Sequence, residues 1–146
     1  MAGSGRAPSG AQQDTPARMG ATAGTVPGLP DGRDVVVVFG NAPDLLLAKR
    51  IAHVLVEESL VACATLGAPC LSMYMWNGTL EGADEIPLMF KTTRARVPAV
   101  LERLRQLHPD EIPEALVLPV SGGLGSYLDW VVARASAPSR HKEENQ

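Results

Sequence analysis

Four side chains between residues 108 and 114 form the only local group in this sequence with the chemistry to bind a metal ion. They are His108, Asp110, Glu111 and Glu114. A neutral imidazole beside carboxylates can bind a divalent transition metal such as copper or zinc. A tight zinc site needs about four ligands, commonly cysteine and histidine, and this group contains one histidine. The group therefore predicts weak metal binding, with copper as the leading candidate.

The same residues also fit a purely structural role. Pro109 cannot continue a helix, so His108 is expected to end the helix that precedes it. The negative end of a helix dipole favours a charged histidine, and the neighbouring acids would be solvated. The residues alone leave both interpretations open.

Two other patterns resemble functional motifs without satisfying them. The glycine-rich run 121–126 lacks the Lys-Ser/Thr pair of a phosphate loop and the spacing of a dinucleotide-binding turn, so we expect it to connect two elements. No Ser-His-Asp or Cys-His arrangement can be argued from the order of the residues. We therefore predict that the chain is not an enzyme.

Composition indicates a globular protein of one domain. The chain has 146 residues, of which 45% are hydrophobic and 20% charged, and a net charge of −3. That charge gives no reason to expect a nucleic acid or a membrane surface as a partner, and no apolar run approaches the ~20 residues of a membrane span. We expect Cys63 and Cys70 to be buried free thiols, which predicts a reducing compartment, the cytoplasm.

The two ends of the chain differ in composition from its centre. Residues 1–33 are rich in Gly, Ala, Ser and Pro, have no hydrophobic period and are expected to be disordered. A role for this segment as an organelle address stays open. Residues 137–146 form a polar, charged tail, which leaves residues 34–136 as the predicted domain.

Hydrophobic periodicity divides that domain into strands and helices. A continuous β-branched run predicts a central strand, and Asn41 is expected to cap the helix after it. The predicted elements are strand Asp34–Gly40, helix Leu45–Glu58, hairpin arms Val61–Trp76 and Thr79–Thr93, helix Arg94–Leu107, strand Glu114–Val120 and helix Tyr127–Ala135. The order matches the α+β, ferredoxin-like βαβ-βαβ sandwich of two layers, with a long central hairpin and an extra C-terminal helix.

The hairpin is long for a domain of this size. Asn77-Gly78 between strand-like residues predicts a type I′ turn, which pairs Trp76 with Thr79. Each arm would be about 50 Å long, so the hairpin must bend, be interrupted or project from the domain.

Counting outward from the turn predicts where the hairpin is interrupted. The count pairs Ala64 with Lys91 and places Pro87 opposite Ala68, close to Pro69. Two prolines at one level remove donors from the ladder, so a bend or bulge is expected there.

Both faces of the hairpin arms are largely apolar. A layer of helices on one side of the sheet cannot cover both faces, and exposed apolar surface of this extent usually marks an interface. We predict a homo-oligomer from this pattern. The residues that carry it are Leu71, Met73, Tyr74, Met75, Trp76, Ile86, Leu88, Met89 and Phe90.

Eight short segments resemble the CutA divalent-cation-tolerance family, in the family's order and across the whole predicted domain. They are Val37-Val38 through Ala42-Pro43, Leu60-Val61-Ala62-Cys63, Tyr74-Met75-Trp76-Asn77-Gly78-Thr79-Leu80, Phe90-Lys91-Thr92-Thr93, Leu107-His108-Pro109, Ile112-Pro113-Glu114, Leu118-Pro119-Val120 and Tyr127-Leu128-Asp129-Trp130-Val131. The resemblance implies a role in tolerance to divalent metals such as copper. It also implies a tight trimer, similar in architecture to PII signalling proteins, in which hairpins extend sheets between subunits.

The resemblance also implies roles for particular residues. Tyr74, Trp76, Leu80 and Trp130 are expected at the trimer interface. By analogy with PII proteins, Lys91 and Glu81 would line a ligand cleft, since a lysine can meet a phosphate or carboxylate as a point charge. An interface salt bridge or a lysine whose stem lies along apolar surface is the alternative for Lys91.

Departures from the family pattern weaken the copper prediction. Some copper-binding members have a cysteine and a second histidine where this chain has Gly40 and Leu107. An alternative function stays open, in which the trimer is a non-catalytic scaffold or small-ligand signalling protein that binds a protein partner. Some animal members are linked to such a role, the anchoring of an enzyme.

Overall fold

The computed structural model describes residues 34–136, and the predictions for residues 1–33 and 137–146 lie outside this range. Its elements are β1 (Val35–Ala42), α1 (Leu45–Glu57), β2 (Cys63–Leu66), β3 (Cys70–Trp76), β4 (Thr79–Thr93), a 3₁₀ turn (Arg94–Arg96), α2 (Val97–Leu107), β5 (Ala115–Pro119) and α3 (Gly125–Ala135). This order confirms the predicted ferredoxin-like arrangement. Among the described helices, none has the length and hydropathy that a membrane span requires.

All strand pairs of the sheet are antiparallel. The sheet has the order β2-β4-β1-β5, and β3 pairs with the distal part of β4. β1 pairs with β4 only from Ile86 to Thr93, so the part of β4 before Ile86 extends past the end of β1. β4 therefore runs continuously from the sheet of the domain into the projecting hairpin.

One face of the sheet packs against α1 and α2. Leu88 and Phe90 of β4 alternate toward these helices, and both side chains are fully buried. They belong to a core that also contains Val38, Ala48, Ile51, Leu55, Val61, Val100 and Leu104. The helical and strand periods seen in the sequence therefore bury one common face, here called the helix-covered face.

The opposite face, here called the open face, is covered at one end by α3, and no other described helix packs on it. There Val131 packs against Val35 and Ala62. The side chains of Leu116 and Leu118 on β5 point to the rest of this face and remain 57% and 43% exposed. Within residues 34–136 the open face is thus largely apolar and largely uncovered.

The hairpin tip confirms the predicted turn. Asn77 and Gly78 both have positive φ, 48° and 74°, as a type I′ turn requires. Trp76 pairs with Thr79 and Cys70 with Glu85, which is the predicted register.

On the side of Cys70 away from the turn, the predicted register is wrong by one residue. Ala64 pairs with Phe90, and Leu66 pairs with Leu88. Between Leu66 and Cys70 the first arm has one residue more than β4 has between Glu85 and Leu88. The extra residue forms the bulge that we predicted from the two prolines, and it lies on the first arm. β4 continues through Pro87 without interruption.

Gly67 makes that bulge sterically feasible. Its amide donates to the Pro87 carbonyl at 2.9 Å. A Cβ at this position would lie 2.6 Å from Pro87 Cγ, so a larger residue would force the two arms apart.

Asp44, and not Asn41, caps α1. Its Oδ1 accepts a hydrogen bond from the Leu47 amide at 2.8 Å. Asn41 instead belongs to β1, because that strand continues two residues past Gly40. The same extension brings Asn41 next to the predicted metal group.

Candidate functional site

The His108 ring is buried at the end of α2 and both of its nitrogens are occupied. Nε2 lies 2.9 Å from the Asn41 carbonyl oxygen, which can only accept, so Nε2 carries the proton. Nδ1 accepts a hydrogen bond from the Asp110 amide at 3.1 Å. The ring therefore joins β1 to the segment after α2 as a neutral imidazole.

The predicted ligand group is only partly assembled around this ring. The carboxylate of Asp110 lies 3.9 Å from Nδ1, and Glu114 accepts a hydrogen bond from the Asn41 side-chain amide at 3.0 Å. Glu111 is exposed. Within residues 34–136 no three His, Cys, Asp or Glu side chains are grouped closely enough to hold a metal ion.

A divalent ion does not fit this arrangement as it stands. A metal needs a free nitrogen lone pair, and the lone pair of Nδ1 is used by the Asp110 amide. One polar atom beside the ring is different, since Asn41 Oδ1 is buried and has no hydrogen-bond partner in the described part of the chain. A metal ion could therefore coordinate Nδ1 of His108 only after the hydrogen bond from the Asp110 amide is broken.

The predicted interface residues lie in two places. Tyr74 and Trp76 alternate onto the open-face side of the hairpin, whereas Leu80 lies on its other side and is exposed. Trp130 lies on α3, with its ring stacked on Tyr127 at a centroid distance of 5.7 Å. All four side chains are at least partly accessible in the single chain.

Lys91 and Glu81 do not form a cleft within one chain. Both belong to β4 and are ten residues apart, about 33 Å at the rise of a strand. Lys91 Nζ donates to Thr65 Oγ1 at 3.2 Å, which ties it to β2. A shared cleft would require Glu81 from another copy of the chain.

Sequence reasoning missed a contact between Cys63 and α3. The Cys63 sulfur lies 3.7 Å from the Tyr127 hydroxyl. That hydrogen bond, followed by burial, raises the pKa of Tyr127 above its ordinary value. The two residues are far apart in sequence, so no local pattern signals the pair. Cys63 is only partly buried and Cys70 is exposed, so the expectation of two buried thiols is wrong.

Three strand edges have no partner strand among the described residues, and the first is the outer side of β2 and β3, which both pair with β4 alone. β5 pairs with β1 along one side, and no described strand covers its other side. The segment of β4 from Thr79 to Glu85 pairs with β3 alone. Each edge presents amide and carbonyl groups that no described strand pairs, which is the ordinary requirement for adding a further strand.

Comparison with known proteins identifies relatives over nearly the whole described region. Residues 36–134 match the family model described as "CutA1 divalent ion tolerance protein". The "Divalent-cation tolerance protein CutA" of Pectobacterium atrosepticum is 44% identical over 100 residues, covering 68% of this chain and 91% of the relative. The protein of that name from Escherichia coli K12 is 44% identical over 98 residues, covering 67% and 88%.

Solved structures agree with these sequence relationships. The crystal structure of CutA from Xylella fastidiosa superposes with a TM-score of 0.69 at 42% identity, covering 70% of this chain and 98% of that one. The divalent cation tolerance protein from Thermus thermophilus gives 0.67 at 37% identity, covering 68% and 97%.

Proposed function

The chain belongs to the CutA1 divalent ion tolerance protein family, and we propose that it acts as a non-catalytic homotrimer in the cytoplasmic response to divalent metal ions. The match over residues 36–134 carries the proposed role. Two free cysteines support a reducing compartment, since thiols in oxidising compartments commonly form disulfides.

Two of the three open edges support a ring of subunits. In the proposed trimer, the edge of β4 from Thr79 to Glu85 pairs with the edge of β5 from a neighbouring copy. These are different surfaces of one chain, so the contact is heterologous and forms a closed ring when the rotation between copies is right. Each added strand extends its neighbour's sheet through backbone hydrogen bonds.

The open face supports the same assembly. Leu116 and Leu118 lie on this face at the β5 edge, and Tyr74 and Trp76 lie on the corresponding side of the hairpin. Strand pairing between copies would make these sets continuous, so that three open faces can pack together inside the ring. That packing would bury apolar surface that a single chain leaves in water.

We propose that copper binding, where it occurs, is weak and involves the group His108, Asp110, Glu111 and Glu114. The ring can offer Nδ1 only by releasing the Asp110 amide. Leaving a buried donor without a partner costs about 1–3 kcal/mol, which is taken from the binding energy. The unpartnered Asn41 Oδ1 is an oxygen ligand within the same network.

Isothermal titration with copper(II) tests this assignment. Weak saturable binding is expected for the unaltered chain, with loss of binding in His108→Ala. His53→Ala is the matched control, because His53 is exposed on α1 and pairs with Glu57. Equal binding in all three proteins would remove His108 from the site.

A growth assay tests the proposed role in the cell. In a bacterial strain that lacks its own member of the family, expression of this chain is expected to improve growth at raised copper(II). A strain that expresses the folded protein and grows no better than the empty strain would contradict the role. That result would not contradict the proposed trimer, because the growth assay does not measure assembly.

A further inference from the structure

Two methionines of the hairpin are exposed side by side. Met73 and Met75 are two residues apart on β3, so their side chains point to the same face of the strand. They are 62% and 54% exposed. Neither belongs to the core or to the group around His108.

This face carries Leu80 as well, but the packing of open faces in the proposed trimer does not use it. Met73 pairs with Gly82 and Met75 with Leu80. Leu80 and Gly82 alternate in phase with Phe90, so the methionines lie on the helix-covered side of the sheet, beyond the helices that cover it. Tyr74 points to the opposite side, toward the open face. The two thioethers can therefore stay accessible when open faces pack together.

The spacing allows both sulfurs to reach one ion. Residues two apart on a strand are about 6.7 Å from each other, and methionine is unbranched with three rotatable bonds. Opposite Met73, a Cβ on Gly82 would meet Leu71 Cδ1 at 3.2 Å, so Leu71 already occupies the space above that glycine. Met73 itself is 62% exposed.

The local charge favours a cation. The hairpin from residue 67 to residue 90 contains Glu81, Asp84 and Glu85 and no lysine or arginine. Asp84 is exposed and pairs with Leu71, which places it on the methionine side of the hairpin. An anion would find no positive partner on this surface.

We propose that Met73 and Met75 together bind one soft monovalent metal ion, Cu(I), through their thioether sulfurs. Soft thioether ligands select Cu(I), whereas imidazole and carboxylate suit the divalent ions expected near His108. Asp84 contributes a nearby negative charge. The site deepens the copper binding proposed above and uses none of the same residues, so the two can fail separately.

The test uses the whole 146-residue chain carrying Cys63→Ser and Cys70→Ser, because thiolates also bind Cu(I). Methionine methyl groups are labelled with carbon-13, and Cu(I) held in acetonitrile, or Ag(I) as a redox-inert probe, is added stepwise. We expect two methyl resonances to shift and saturate at one ion per chain. The variants Met73→Leu and Met75→Leu assign those resonances.

The double variant Met73→Leu/Met75→Leu is expected to lose the saturable binding. Leucine nearly conserves the volume of methionine, so the fold is retained. Met89→Leu, which removes a methionine of the central sheet, is expected to bind as before. Unmoved Met73 and Met75 resonances, or unchanged binding in the double variant, would overturn the proposal. Improved growth at raised copper(II) would still stand in that case, which separates this failure from failure of the proposed function.

Discussion

Replacing Leu116 and Leu118 together with lysine is expected to convert the trimer into monomers at micromolar concentration. Both leucines lie on the unpaired edge strand β5 and point to the open face. Burying a leucine contributes about 1.5–3 kcal/mol, and each of the three contacts would lose two of them. A buried lysine without a partner adds a desolvation penalty. We therefore expect dissociation into monomers and not only a weaker trimer.

Light scattering at several protein concentrations measures this outcome. Val56→Lys is the control, because Val56 is 42% exposed on α1, which lies on the other face of the sheet from Leu116 and Leu118. We expect the control to keep the mass of the unaltered assembly. A Leu116→Lys/Leu118→Lys protein that also keeps that mass would show that β5 is not part of the contact.

Replacing Phe90 with alanine is expected to cause the largest loss of stability of any single truncation in the core. Phe90 is fully buried near the middle of the helix-covered face. Phenylalanine-to-alanine changes in cores lower the free energy of unfolding by about 3–5 kcal/mol. Domains are commonly stable by about 5–15 kcal/mol, so this change removes a large share of the margin.

Urea unfolding at one fixed protein concentration measures the effect, because assembly makes stability depend on concentration. Val56→Ala provides a comparison at a partly exposed position and is expected to have a much smaller effect. A Phe90→Ala protein with an unfolding midpoint close to that of Val56→Ala would contradict the assigned core.

Features that depend on neighbouring residues could be predicted from the sequence. The turn at Asn77-Gly78 follows from the positive φ that type I′ geometry demands. The order of strands and helices follows from period-2 and period-3.6 patterns. The prolines near residue 87 indicated an interruption, since proline lacks the donor that a ladder needs.

Features that depend on distant residues could not be predicted in the same way. The count from the turn missed the one-residue shift at Ala64, because nothing local says which arm holds the extra residue. The strand continues through Asn41, which replaces a predicted helix cap by a partner for His108. The occupied His108 ring is visible only when β1 and the end of α2 are seen together.

Amide hydrogen exchange of the unaltered protein at micromolar concentration tests the proposed assembly most directly. In a single chain, the outward-facing amides of β5 and of the β4 segment Thr79–Glu85 have no partner strand within the described residues. Pairing between copies would protect them as strongly as amides inside the sheet. We predict slow exchange along both edges, and fast exchange along either edge would contradict the ring of subunits.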